Sequence, residues 1–395
     1  MAEPAPDLTR PARPSRLTDP KFRALVFQIL ATLTVVAFLV YIVHNTLTNM
    51  EQRGISTGFG FLDRTAGFAI LQSLIPYSET STYGRTFVVG LLNTILVSAL
   101  GVVCATLIGF VVGVLRLSSN WLIKKLATAY IETFRNIPLL LQIFFWYFAI
   151  GFNLPGPRQS IAIGETVFLN NRGLYVPAPV FGEGFGWTLA AIAVAIVAVI
   201  VLAHWARRRF ELTGQSFHTV YVSLAILLGL PLLVFVATGA PLSWDMPALQ
   251  GFNFRGGLTV IPELFALTLA LSIYTAAFIA ETVRSGIQSV SHGQTEAASA
   301  LGLRPSWTLR LVIIPQAMRV IIPPLTSQYL NLTKNSSLGV AVSYMELTKV
   351  SRTAIANASP AIPMLVVVLS MYLVLSIAIS LLTNLLNRRL QVVER

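Results

Sequence analysis

Acidic side chains are scarce in this 395-residue chain: 16 Asp and Glu stand against 28 Lys and Arg, and only 11% of residues carry charge. So little charge beside 55% hydrophobic residues and a mean hydropathy of +0.72 excludes a soluble globule and indicates a multi-span membrane protein. The formal net charge of +12 would suggest nucleic acid in a soluble protein, but here the basic residues gather at the ends of apolar runs, so no nucleic-acid partner is expected. The one cysteine, Cys104, lies inside an apolar run, which excludes an intrachain disulfide and a cysteine metal cluster. Histidines at 44, 204, 218 and 292 have no ligand spacing, and no metal site is expected. No Gly-Lys dipeptide occurs, so the GxxxxGK[ST] phosphate loop is missing and any ATP chemistry belongs to another chain. A channel or a membrane enzyme has no support either: there is no TVGYG filter, no HExxH, and no clustered acid, base and nucleophile in the spans. Neither catalytic nor cofactor-binding residues are expected.

What is present is a succession of apolar runs. Residues 1–23 are proline- and charge-rich and read as a cytoplasmic arm. The run at 24–46 is too long for a signal-peptide core and reads as a first span. Further spans are expected at 87–115, after Pro138, and at 187–206, 218–236, 263–284, 320–344 and 361–386. External loops are expected at 47–85, 151–186 and 238–262. The sum is an all-α integral membrane protein of about eight transmembrane helices. With a cytoplasmic N-terminus, nineteen Lys and Arg fall inside and eight outside, with Lys334 within a span; this bias supports the topology. Gly101, Ala105, Gly109 and Gly113 recur every four residues and form a smooth strip for close helix packing, within the subunit or at a subunit interface. The aliphatic runs at 187–206 and 218–236 suit lipid contact.

Between the sixth and seventh spans lies a polar segment, 285–319, whose centre reads EAASALGLRPSWTLRLVIIP from Glu296 to Pro315. Ala297, Ala298 and Ala300 favour helix and carry almost no side chain, so a partner's groove can close around that backbone. Gly302 can adopt the left-handed conformation that ends the helix. Glu296, Ala297, Ala298, Gly302 and Pro315, with Val312 and Ile314 at the aliphatic places, resemble the "EAA" loop of permease subunits of binding-protein-dependent ABC importers. Valine and isoleucine are conservative departures from that pattern. In that family the loop docks in a cleft of the ATP-hydrolysing subunit and passes its motion to the membrane helices.

Two more stretches are similar to the polar amino-acid branch of the family: Glu132, Arg135, Asn136, Pro138 and Gln142, and Ala280, Glu281, Arg284, Gly286, Ile287, Gly293 and Gln294. The resemblance covers 86–151 and 263–390 as a five-helix core, with 24–46 an additional first span and 152–262 inserted loops and spans. Insertions of this kind resemble the larger permease subunits of general L-amino acid transporters, or of their relatives for acidic amino acids and amides. The resemblance implies the transmembrane domain of a type I ABC importer in the bacterial inner membrane, with N- and C-termini cytoplasmic. It also implies two ATP-binding cassette ATPase subunits carrying the ATP and magnesium, a second and related permease, a periplasmic amino-acid-binding protein and an L-amino acid substrate moved by alternating access.

Polar groups facing lipid are costly, so those in the seventh span mark a path or helix contacts. Gln328, Asn331 and Asn335 fall at i, i+3 and i+7 on one face. Counted from Arg319, Asn335 stands about 24 Å up at 1.5 Å per residue, near or beyond mid-membrane. In similar permeases its place is often an acid, and a neutral amide argues against strong selection for cations. Lys334 is an intramembrane charge without an obvious partner, open to a substrate carboxylate or backbone carbonyls. Ser336, Thr275 and Phe278 complete the candidate path. Glu132 with Arg135 and Glu281 with Arg284 are expected to pair at i, i+3. An ion-coupled secondary transporter is the rival reading; it would explain the spans and Lys334 but leave the EAA spacing a coincidence.

Overall fold

The computed structural model describes residues 20–52, 54, 58–357 and 360–390. The chain enters as α1 (Pro20–Gln52), an apolar helix whose only buried residue is Met50. Pro20 to Arg23 already belong to it, and the rest of the expected arm lies outside the described residues. Residues 58–82 form an irregular segment pinned by a bridge between Thr65 and Thr82. Thr82 caps α2 (Tyr83–Leu115) by accepting from the Arg85 N–H, one of the donors that no helical turn satisfies. Asn120 caps α3 (Trp121–Asn136) in the same way, its Oδ1 accepting from Leu122 at 2.9 Å and Ile123 at 3.2 Å.

The expected third span starts after a break at Pro138. Pro138 has no N–H to give the Phe134 carbonyl, and its ring disfavours helix at the residue before it; Ile137 is extended there, with ψ 128°. The chain resumes as α4 (Leu139–Asn153). At 15 residues, α4 is about 22 Å long and falls short of a ~30 Å core. Seven helices, not eight, are therefore long and apolar enough to cross alone among the described residues. The buried Gln142 repairs the break, its amide donating to the carbonyls of Phe134 and Ile137, each at 3.0 Å.

The segments expected as plain loops carry eight short strands: β1 (Ile161–Ile163), β2 (Val167–Asn170), β3 (Gly173–Val176), β4 (Ala178–Phe181), then, after two helices, β5 (Leu242–Asp245), β6 (Ala248–Gln250), β7 (Asn253–Arg255) and β8 (Leu258–Val260). An antiparallel sheet runs in the order β1, β2, β3, β8, with Leu174 opposite Val260, while β4 pairs β5 and β6 pairs β7. The two inserted segments thus fold onto each other. Between them, α5 (Phe185–Thr213) and α6 (Thr219–Ala237) pack chiefly on each other and leave aliphatic side chains exposed along their length. Arg207, Arg208 and Arg209 sit inside the last turns of α5 and do not end it; Gly214 does, at φ +68°.

The centre of the bundle is α7 (Pro262–Gln288), with Leu267, Leu271, Ala276, Ala277, Ile279 and Ala280 fully buried. The small-residue strip of α2 lies against it. A Cβ on Gly109 would come within 2.6 Å of Ile279, and one on Gly113 within 2.7 Å of the Ala280 carbonyl. The strip therefore serves packing inside this chain. Beyond α7 come α8 (His292–Ala300), α9 (Pro305–Thr308), a π-helical stretch Leu309–Ile313 and α10 (Ile314–Asn335). The expected seventh α-helical span ends early, at Asn335; Ser336–Val342 tightens to a 3-10 helix, and Ser343 turns left-handed at φ 61°. The last elements are α11 (Leu347–Ala356) and α12 (Ala361–Leu390).

Candidate functional site

The segment after α7 is largely exposed. Helix α8 starts at His292, earlier than the alanines alone would suggest, and its sole buried residue is Ala298. Gly302 stands at φ +72°, its N–H donating to Ser299 O at 2.9 Å while Leu303 N–H reaches back to Ala298 O at 3.1 Å. These two bonds are the pair by which a left-handed glycine closes a helix. Glu296 is 71% exposed, and His292 Nδ1, 3.0 Å away, is its only ion-pair contact among the described residues. Ala297 is exposed, Leu301 is 81% exposed, and Trp307 and Leu311 are also left open. The segment is tied to the span that follows by Gln316 Nε2 donating to Gln294 Oε1 at 3.2 Å. Pro315 lies in the first turn of α10, directly after the π-helical stretch Leu309–Ile313.

Helix α10 divides its faces sharply. Ala317, Ile321, Leu325 and Leu332 are buried; Ile321 lies where a Cβ on Gly286 would meet it at 2.3 Å, and Leu332 fills the space beside Gly101. The other side leaves Ser327, Asn331 and Lys334 exposed at i, i+4 and i+7, with Gln328 and Asn335 half-buried at its margin. Three of the expected path residues therefore come together with Lys334 on one open face. Ser336 does not: it is buried and donates to the Thr333 carbonyl at 2.7 Å. Thr275 is buried in α7. Phe278 is covered by the Arg135 guanidinium, 5.2 Å from its ring centroid. No side-chain hydrogen bond or ion pair engages Lys334 among the described residues. Glu281 is committed elsewhere, to Arg284 at 2.5 Å and to Arg116. Glu132 does not pair with Arg135 as the spacing suggested. It turns to Arg116, 3.7 Å away, because α3 presents it to the end of α2 while Arg135 faces α7.

An exposed helix closed by a left-handed glycine is thus joined to a helix with one polar, open face. Residues 208–392 match the family described as binding-protein-dependent transport system inner membrane component. YhdX of Escherichia coli (strain K12), which carries the name of an amino-acid ABC transporter permease protein, is 54% identical over 95% of this chain and 96% of its own. The chain belongs to that family of inner membrane components. Two more members are similar along nearly their whole length. The general L-amino acid transport system permease protein AapQ of Rhizobium johnstonii is 51% identical over 96% of this chain and 95% of its own. The glutamate/glutamine/aspartate/asparagine transport system permease protein BztB of Rhodobacter capsulatus is 42% identical over 95% and 96%.

In this family member the structure also brings together residues that sequence reasoning passed over. Glu346 is fully buried and caps α11, accepting from the N–H groups of Thr348 and Lys349, each at 2.8 Å, and from Tyr372 Oη at 2.9 Å. Asn93 of α2 donates to the carbonyls of Gln72 and Met345, and Tyr344 Oη donates to the Asn93 carbonyl. These bonds fix the turn after α10 against α2 and α12. Glutamate is not among the preferred cap residues, so the local signal before α11 is weak.

Proposed function

We propose that the chain is the membrane-spanning permease subunit of an ATP-driven ABC importer with the type I transmembrane architecture. It moves L-amino acids across the bacterial inner membrane by alternating access. The observation that carries this reading is α8: a short, exposed, alanine-rich helix, closed by a left-handed glycine and fused through a π-helical stretch to a core helix. Family membership and the amino-acid names of the full-length relatives support the substrate class. In this reading the end of the bundle bearing α8 faces the cytoplasm, as do both termini. Two ATPase subunits hold the ATP and magnesium, a related permease completes the pathway, and a periplasmic binding protein delivers the amino acid. This chain itself performs no hydrolysis. ATP favours one state of the pathway through contacts that differ between states, and α8 is where those contacts act.

The open polar face of α10 is then the substrate path, with Lys334 available to a substrate carboxylate and Gln328, Asn331 and Asn335 to its polar groups. Facing lipid, such a stripe would be costly; facing a second permease across a wet cavity, it is stable. No specific observation favours an ion-coupled carrier.

The test is ATP hydrolysis by the reconstituted complex. Glu296→Ala and Gly302→Pro are expected to leave the chain in the membrane, since Glu296 touches only an exposed histidine, and to abolish stimulation of hydrolysis by the amino-acid-loaded binding protein. Unchanged stimulation in both variants would remove α8 from the coupling role.

A further inference from the structure

Beside the inner-facing end assigned to α7, a cavity of about 570 Å³ opens between α3 and the ends of α2 and α7. Trp121, Lys124, Lys125 and Thr128 line it from α3, and these stand at i, i+3, i+4 and i+7, one face of the helix. Arg116 and Arg284 line the opposite wall. Those two arginines are answered, since Glu281 bonds both and Glu132 lies 3.7 Å from Arg116. Lys124 and Lys125 are not: among the described residues neither has an acidic group within ion-pair distance. The cavity therefore holds two uncompensated ammonium groups. Around it the surface is apolar. Trp121 is 70% exposed, and Leu122 and Leu126, one turn apart on the adjoining face of α3, are 56% and 63% exposed.

We propose that this cavity binds the phosphate headgroup of an anionic phospholipid, with its acyl chains lying along Leu122 and Leu126. A free anion would need the cations but not the apolar strip beside them. A soluble protein would leave Trp121 and the two leucines half in hydrocarbon. A phospholipid matches both, since lysines at the headgroup level attract anionic lipid and an exposed tryptophan there sits with its ring at the interface. The ion cluster behind the site joins α2, α3 and α7, so a bound headgroup clasps the helices nearest the coupling segment. The inference needs no assumption about which solute is carried.

The complex is purified from native membranes in mild detergent, with the partners it retains, and titrated with phosphatidylglycerol or phosphatidylcholine under native mass spectrometry. Wild type is expected to retain phosphatidylglycerol preferentially. Lys124→Gln/Lys125→Gln should lower that retention roughly tenfold or more, from two headgroup-level charges removed, while Lys124→Arg/Lys125→Arg keeps it and serves as the folding control. Equal retention of the two lipids, or unaltered retention in the glutamine variant, would overturn the proposal. So would displacement of the lipid by millimolar inorganic phosphate, which would assign the cavity to a soluble anion. Loss of a protein partner from the glutamine variant with lipid retention intact would overturn it in favour of a protein contact.

Discussion

Asn335 is a single amide at the end of α10, half-buried at the margin of a face that also carries the exposed Lys334 and Asn331. Its helix ends there because Ser336 folds back on Thr333, so the amide stands where the backbone changes from α to 3-10 geometry. If the open face of α10 is the substrate path proposed above, a charge placed at that junction would act on the substrate. Asn335→Asp is expected to shift uptake toward cationic amino acids by roughly tenfold, the equivalent of ~1.4 kcal/mol. Competition assays with radiolabelled substrates would read it, and an unaltered profile would remove Asn335 from the path. At this scale the sequence was legible where a residue's role follows from its own helix. Gln328, Asn331 and Asn335 share a face by periodicity alone, and Glu281 meets Arg284 by spacing. It was not legible where the partner lies on another element. That Arg116 would draw both Glu281 and Glu132, or that Arg135 would stack on Phe278, depends on how α3 lies against α7.

The elements were legible in proportion to their apolar length. Helices α2, α5, α6, α7 and α12 stand close to where their hydrophobic runs stand, because a run of that length in lipid can satisfy its backbone only as helix. The strands between 161 and 260 were hidden, since segments of three or four residues pair across distant parts of the chain and leave no local period. The strip of small residues on α2 was visible, but its partner was not. Against α7 it makes a sharp comparison of glycines. Gly113→Val would push its side chain into the Ala280 carbonyl and Val283, and is expected to destabilise the bundle by about 1–3 kcal/mol. Gly229→Ala in α6 meets nothing within 4 Å and should leave stability unchanged or slightly raised. Unfolding in graded denaturing detergent would compare the two, and equal behaviour would contradict the packing described.

At the scale of the whole molecule, the chain is only partly closed on itself. Helix α1 buries one residue, α5 and α6 rest chiefly on each other, and α8 and the polar face of α10 stand open. In the proposed assembly these surfaces meet different neighbours: lipid for the aliphatic helices, a second permease for α10 and an ATPase subunit for α8. Mild-detergent pull-down of the tagged chain from native membranes is expected to bring an ATPase subunit and a second permease with it. A chain recovered alone that still moves solute without ATP would end the importer reading. Within the bundle, α4 follows α3 across a joint at Pro138. The Phe134 carbonyl that Pro138 cannot reach is already held by the side chain of Gln142, four residues beyond the proline. The joint at Pro138 thus turns the chain from α3, which carries Lys124, Lys125 and Arg135, into the apolar α4, and a change of the angle between the two helices would cost the two bonds that Gln142 makes across it.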